Sequence, residues 1–172
     1  MFLVSPSIDF ELAFQRFYLD YVSNDPINGE CYASCLSDFS SYVEQLSDES
    51  RGLNLKPNYV PCSHYWLINS DSEVLGVVRI RHHLANEFLQ NEAGHIGYDV
   101  RPSYRNKGVA KKMLALALLQ AKTLKLDQVL ITADDDNKAS RRVIETNGGQ
   151  FDTYYDGKVF QTKLARYWID LQ

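Results

Sequence analysis

The chain has 172 residues, of which 45% are hydrophobic, 12% aromatic and 23% charged, with a formal net charge of −4. This length and composition fit one globular domain spanning residues 1–172. No apolar run reaches the roughly 18–20 residues that cross a bilayer, and the acidic balance argues against nucleic acid as a partner. Cys31, Cys35 and Cys62 show neither a disulfide framework nor a zinc spacing, so we expect free thiols in the cytoplasm and no metal site.

The first half of the chain is predicted to begin with a strand and a helix. Residues 2–5 are apolar and predict an edge or terminal strand. Asp9 is expected to cap a first helix that ends at Asn24-Asp25-Pro26, because aspartate is a favoured cap and proline cannot continue a helix. Asn28-Gly29 is then expected to lie in a loop.

A second helix and a hairpin are predicted next. The helix is expected to begin at Ser37 or Asp38 and to close before Arg51-Gly52, and a long loop then runs to Pro61. The hairpin strands are expected at residues 63–68 and 74–81, and the turn between them at residues 69–72.

Strands and helices alternate in the second half of the chain. Residues 84–94 predict a short helix or a loop. The later elements are expected as a strand through Ile96, Tyr98 and Val100, a helix from Ala110 to Leu124, a strand at Val129–Ala133, a helix at about 137–147, and closing strands at 151–155 and 159–169. Pro102 stops the first of these strands, Gly148-Gly149 ends the last helix, and Asp156-Gly157 predicts a tight hairpin turn.

A basic, glycine-bearing loop joins the strand at Ile96 to the helix at Ala110. No acidic residue occurs between Val100 and Leu126, although the whole chain is acidic. The basic residues of this segment are Arg101, Arg105, Lys107, Lys111, Lys112, Lys122 and Lys125. A solvated basic face would explain lysines alone. Cations in a first helical turn oppose the helix dipole, however, so the combination of strand, glycine loop and helix favours a phosphate-binding cradle.

Two motifs in the sequence resemble those of the GNAT superfamily of N-acetyltransferases. Arg105-x-x-Gly108-x-Ala110 resembles its acetyl-coenzyme A signature, and Asn137-x-Ala139-Ser140 followed by Gly148 resembles its second motif. The order of elements is also that of the GNAT fold. Short stretches such as Tyr167-Trp168-Ile169 further resemble a bacterial subgroup of predicted acetyltransferases. The resemblance implies an α/β fold with a mostly antiparallel mixed sheet, a parallel strand pair at the cofactor site, and flanking helices.

The resemblance also implies which residues hold acetyl-CoA, the expected co-substrate. In the family, the central strand frees backbone groups for the acetyl and pantetheine parts, the loop binds the pyrophosphate, and the second motif touches the pantetheine. Matched position by position, these residues are Tyr98, Val100, Arg105, Asn106, Lys107, Gly108, Val109, Ala110, Asn137 and Ser140. Taken alone, Asn137 would be a helix cap.

The catalytic side chains of the family are not matched in this chain. Ile144 occupies the place of the tyrosine that many members use as general acid, and Gly94 lies near the place of a glutamate base. The nearest titratable residues are Glu92 and His95, and we expect His95 to be the base because its ordinary pKa is near neutrality. A structural, hydrogen-bonded histidine is the alternative. Tyr98 and Tyr104 are alternative proton donors.

The sequence therefore predicts an acetyl-CoA-dependent N-acetyltransferase that moves the acetyl group directly to a primary amine of an unidentified small molecule or peptide. The alternative is a GNAT-fold protein that binds a coenzyme A derivative as a sensor or scaffold without transfer. A mononucleotide site is not favoured, because neither Gly-x-x-x-x-Gly-Lys-Ser/Thr nor Gly-x-Gly-x-x-Gly is present. The expected partners are acetyl-CoA and an amine, with no nucleic acid and no membrane, and a homodimer is compatible with the chain.

Overall fold

The computed structural model describes all 172 residues, which form seven strands and five helices in two sheets. The strands are β1 (Phe2–Val4), β2 (Cys62–Ile68), β3 (Val74–Arg81), β4 (Ile96–Val100), β5 (Gln128–Asp134), β6 (Gln150–Asp156) and β7 (Lys163–Asp170). The helices are α1 (Glu11–Asn24), α2 (Pro26–Gly29), α3 (Phe39–Arg51), α4 (Val109–Thr123) and α5 (Lys138–Thr146). No helix is both long enough and apolar enough to span a bilayer.

The two sheets meet at β4 and β5 and are otherwise separate. One sheet has the order β1-β2-β3-β4, the other has the order β5-β7-β6, and every paired strand is antiparallel. The expected parallel pair, β4 and β5, forms no ladder. A single backbone hydrogen bond, 2.7 Å from the His95 N–H to the Leu130 carbonyl, joins the two strands at the start of β4. The predicted α/β fold with mostly antiparallel sheet is confirmed, and it opens into a cleft beyond this point.

Two apolar cores cover opposite faces of the first sheet. Helix α4 buries Met113, Leu114 and Ala117 completely against one face, in a core that continues under α5 and the second sheet. On the other face, α1 and α3 pack an aromatic cluster that includes Phe14, Phe17 and Trp66. Full burial of such side chains stabilises the fold by about 1.5–3 kcal/mol each. Helices therefore cover both faces of this sheet.

Local hydrogen bonds decide where the N-terminal helices begin. Ser7, rather than Asp9, caps the first turn, because the Asp9 N–H donates to the Ser7 Oγ at 3.2 Å and a 3-10 turn precedes α1. Helix α3 begins as expected, with Asp38 accepting the Ser41 N–H at 3.0 Å. The expected loop at Asn28-Gly29 was wrong. These residues belong to α2 and lead into a 3-10 helix at Glu30–Leu36, which buries Tyr32 and Cys35 in the aromatic core.

The closing hairpin has a longer turn than Asp156-Gly157 alone. Strand β7 begins at Lys163, so the strand that we expected from residue 159 was predicted four residues too long. Glu92, which is only 2% exposed, accepts N–H groups of residues 158, 159 and 160 at 2.9–3.2 Å and holds them in a loop. Burial alone would raise the pKa of Glu92, but these three donors lower it overall.

Candidate active site

The loop before α4 presents an unbroken run of free backbone donors. The N–H groups of residues 106–111 have no acceptor within the protein, and the first bond of the helix runs from the Lys112 N–H to the Gly108 carbonyl at 3.2 Å. Asn106 and Gly108 adopt positive φ angles of 60° and 75°, a backbone geometry typical of loops whose consecutive amides bind anions. No side chain caps the helix and no acidic residue occupies its first turn. Six such donors at a helix N-terminus fit a pyrophosphate.

The predicted residues of the loop contribute mainly through their backbone. A Cβ atom added to Gly108 would meet no atom within 4 Å, so the cradle opens to solvent there. The Arg105 guanidinium turns away to Asp25 at 2.6 Å and to the Val100 carbonyl at 3.2 Å. The Lys107 Nζ donates to the Ser103 carbonyl at 2.9 Å. Both side chains therefore brace the loop, and the sequence reasoning missed the Lys111 N–H, which completes the run.

The outer edge of β4 lines the cleft. Hydrogen bonds from Arg81 N–H to the His95 carbonyl (2.8 Å) and from Arg101 N–H to the Leu75 carbonyl (2.9 Å) flank its ladder with β3. Because partners alternate along an antiparallel ladder, the backbone groups of Tyr98 and Val100 face away from β3. No backbone bond joins these two residues to β5. The Val100 carbonyl accepts from the Tyr21 hydroxyl at 2.9 Å, which leaves the N–H groups facing the cleft.

A hydroxyl pair connects β4 to the second sequence motif across the cleft. The Tyr98 hydroxyl lies 2.8 Å from the Ser140 Oγ in the first turn of α5, and the Asn137 Oδ1 caps that turn by accepting the Ser140 N–H at 3.0 Å. Burial raises the pKa of Tyr98, so its hydroxyl keeps its proton at neutral pH. Ile144 is fully buried in the core, and no proton donor stands at that position. Tyr98 is therefore the tyrosine that the structure brings to the second motif.

His95 lies at the junction of the sheets and is engaged there. Its Nδ1 accepts the Leu130 N–H at 2.9 Å, so the neutral ring carries its own proton on Nε2 and offers no free lone pair. Burial, followed by the nearby charges of Arg81 and His83, lowers the pKa of His95 to about 4. This geometry argues against the general base that we expected and favours the alternative, a structural histidine. Glu92 is likewise occupied, by the 158–160 loop.

We expect His95 to make folding stability depend on acid pH. A histidine whose pKa falls from 6.5 to about 4 on folding stays neutral while the unfolded chain takes up a proton. Stability should thus decrease as pH falls from about 6.5 to about 4, by up to ~3 kcal/mol. Urea unfolding of the wild type and of His95→Gln, which keeps an acceptor but cannot titrate, measures this. Equal pH dependence in both proteins would contradict the assignment.

An ionic cluster on the opposite face of β4 was not foreseen from the sequence. Arg79 of β3 pairs with the Asp99 carboxylate, which also accepts the Tyr32 hydroxyl at 2.7 Å. Arg79 and Tyr32 are 20 and 67 positions from Asp99 in the chain, and nothing in their local patterns links them. Tyr104 donates to the Glu73 carboxylate at 2.7 Å and is thereby occupied. No three His, Cys, Asp or Glu side chains lie together in a way that could hold a metal ion.

Comparison with known proteins agrees with this arrangement. Three solved structures show the same fold at identities below 25%. The microcin C7 self-immunity acetyltransferase MccE, in complex with acetyl-CoA and AMP, is 13% identical with a TM-score of 0.67, covering 98% of this chain and 91% of its own. Mycobacterium smegmatis RimJ, in complex with CoA-disulfide, is 19% identical with a TM-score of 0.70, and the match covers 98% of this chain and 80% of RimJ. The ribosomal-protein-S5-alanine acetyltransferase from Vibrio fischeri is 11% identical with a TM-score of 0.71, and the match covers 99% of this chain and 92% of that enzyme.

At the level of sequence, a search of curated proteins found no match. The model of the acetyltransferase (GNAT) domain family, however, matches residues 35–150, which is more than half of the chain and includes β4, the amide loop, α4 and α5. The matched range therefore contains the cradle and the cleft described above. The chain belongs to the GNAT family of acetyltransferases.

Proposed function

We propose that this protein transfers the acetyl group of acetyl-CoA directly to a primary amine of a small molecule or peptide. The observation that carries the proposal is the run of free N–H groups at residues 106–111, which leads directly to the open edge of β4. Solved structures of the same fold, MccE and RimJ, contain acetyl-CoA and CoA-disulfide. Family membership, cradle and cleft together support acetyl-CoA as the co-substrate.

The reaction requires few groups from the protein. When bound, acetyl-CoA supplies a thioester whose carbonyl carbon forms a C–N bond with the amine as its C–S bond breaks; the sulfur gains one proton and the nitrogen loses one. The backbone N–H groups of Tyr98 and Val100 are placed to stabilise negative charge on the carbonyl oxygen. The Tyr98 hydroxyl is the proposed proton donor to sulfur. With His95 engaged, we propose that water takes the amine proton.

Binding without transfer is the second candidate. It is favoured by the two catalytic positions of the family that this chain does not fill, since Ile144 is buried in the core and Gly94 has no side chain. Calorimetry with acetyl-CoA, combined with a thiol-release assay on primary amines, aminoglycosides and peptides, separates the two. We expect tight binding together with thiol release that depends on an amine. Tight binding with no release above the amine-free rate on any acceptor would favour the sensor.

A further inference from the structure

Arg81 differs from every other partly buried arginine in the protein. Five arginines are partly buried, and four of them form ion pairs with an aspartate within 4 Å. These four are Arg79, Arg101, Arg141 and Arg166. Arg81, at the end of β3, has no acidic partner. A guanidinium removed from water without a counter-charge is costly, so its retention beside the cleft calls for an explanation.

The protein fixes one side of the Arg81 guanidinium and leaves the other side free. Its Nη1 donates to the carbonyls of Ala93 and Gly94 at 3.2 and 3.1 Å, just before β4. Its Nε and Nη2 have no acceptor in the protein. The N–H bonds of Nε and Nη2 point in parallel along one edge of the guanidinium plane. That edge matches the two oxygens of a carboxylate.

Gly97, in the middle of β4, has no side chain, and the guanidinium groups of Arg79 and Arg81 lie against its backbone. A Cβ atom added to Gly97 would lie 4.0 Å from the Arg81 Nη1 and 3.7 Å from the Arg79 Nε. Both guanidinium groups therefore lie over the residue that precedes Tyr98, on the face of the sheet opposite Tyr98 and α4. An acceptor held by Arg81 would approach the cleft from the side that the proposed cofactor site leaves free.

The surroundings of Arg81 hold no anion that could neutralise it. Asp99 is already bound by Arg79 and Tyr32, and Glu49 is bound by His64 at 2.7 Å. The groups that do face Arg81 include Cys62, its cross-strand neighbour, and His95. Burial, together with the charge of Arg79, lowers the pKa of Arg81. The local charge is therefore positive, and a bound anion would remove the penalty.

We propose that Arg81 binds a carboxylate of the acceptor, so that the substrate is an amino acid or another small amine that carries a carboxylate. This proposal rests on the proposed acetyl transfer and names the substrate class for the same site. Arg81 is then a specificity residue, fixed by the Ala93 and Gly94 carbonyls and facing the substrate with Nε and Nη2.

Matched pairs of acceptors test the proposal. Amino acids and their carboxamides, such as alanine and alaninamide, differ in the carboxylate and, through it, in the pKa of the amine. Thiol release from acetyl-CoA therefore gives kcat/KM for each acceptor per free amine. We expect the wild type to prefer the acid by about 10–100-fold in kcat/KM, which is the usual contribution of a hydrogen bond to a charged group. Arg81→Gln should lose this preference, and Arg81→Lys, which keeps the charge without the fork, should retain part of it. Arg16→Gln, which changes an exposed arginine of α1, is the matched control and should leave the ratio unchanged.

Each remaining outcome overturns the proposal. A wild type that prefers the carboxamides or treats both acceptors alike excludes a carboxylate site, while amine acetylation itself stands. An Arg81→Gln variant that slows both acceptors equally, with its acid-to-amide ratio intact, shows that Arg81 only braces the Ala93 and Gly94 carbonyls. No thiol release with any amine, despite acetyl-CoA binding by calorimetry, overturns the proposed transfer along with it.

Discussion

Replacing Gly108 with glutamate should abolish acetyl-CoA binding while the protein stays folded. The glutamate would place a negative charge at the start of α4, among the six N–H groups that are proposed to bind the pyrophosphate. Juxtaposed like charges cost several kcal/mol, and each 1.4 kcal/mol is tenfold, so affinity should fall by more than about 100-fold. The added side chain has room, because a Cβ at Gly108 meets no atom within 4 Å. Calorimetry with acetyl-CoA measures the loss.

Gly108→Ala separates backbone strain from charge. Gly108 has a φ of 75°, so alanine should cost about 1 kcal/mol of stability, as should the strained backbone of the glutamate variant. Affinity should nevertheless decrease only modestly in the alanine variant, because its N–H groups and their charge environment are kept. Folding of both variants is checked by circular dichroism and thermal unfolding. A folded Gly108→Glu protein with wild-type affinity would remove the cofactor assignment of the loop.

Tyr98→Phe should lower kcat by about 100-fold or more, the usual contribution of a positioned proton donor. The change removes only the hydroxyl that contacts the Ser140 Oγ at 2.8 Å, and the phenyl ring keeps its place in the core. The backbone N–H of residue 98 is also kept, so KM for acetyl-CoA should change little. Steady-state kinetics, with each substrate varied in turn, separates the effect on kcat from the effect on KM.

Tyr104→Phe is the matched control for the other tyrosine that the sequence offered as a proton donor. The Tyr104 hydroxyl is occupied by Glu73, so its removal should leave kcat close to that of the wild type. If Tyr98→Phe kept kcat within about twofold, or if Tyr104→Phe showed the larger loss, Tyr98 would not be the acid. Solvent would then protonate the sulfur.

Features set by neighbouring residues were predictable from the sequence. The start of α3 at Asp38 and its end at Gly52 follow from capping preferences that act over four residues. The same holds for the loop at 105–110, where Asn106 and Gly108 determine the local backbone. The position and orientation of this cradle therefore followed from one continuous segment.

Features that depend on distant contacts were not predictable. The role of His95 depends on Leu130, which is 35 residues away, and that of Glu92 depends on a loop 66–68 residues away. A residue type alone does not reveal whether its lone pair is already used. Arg105 shows the same difficulty, since the motif gives its position but only the contact with Asp25 gives the direction of its side chain.

The strands β4 and β5 are joined directly only through His95 and Leu130, by one backbone bond and one bond to the imidazole. Two strands that share a ladder are held together by several such bonds, whereas these two strands share only two. A ligand that contacts both the amide loop before α4 and the first turn of α5 adds its binding free energy to this junction. At a concentration 100 times its Kd, such a ligand stabilises the folded state by about 2.7 kcal/mol. The acyl donor would thus serve as a structural component of the protein as well as its reagent.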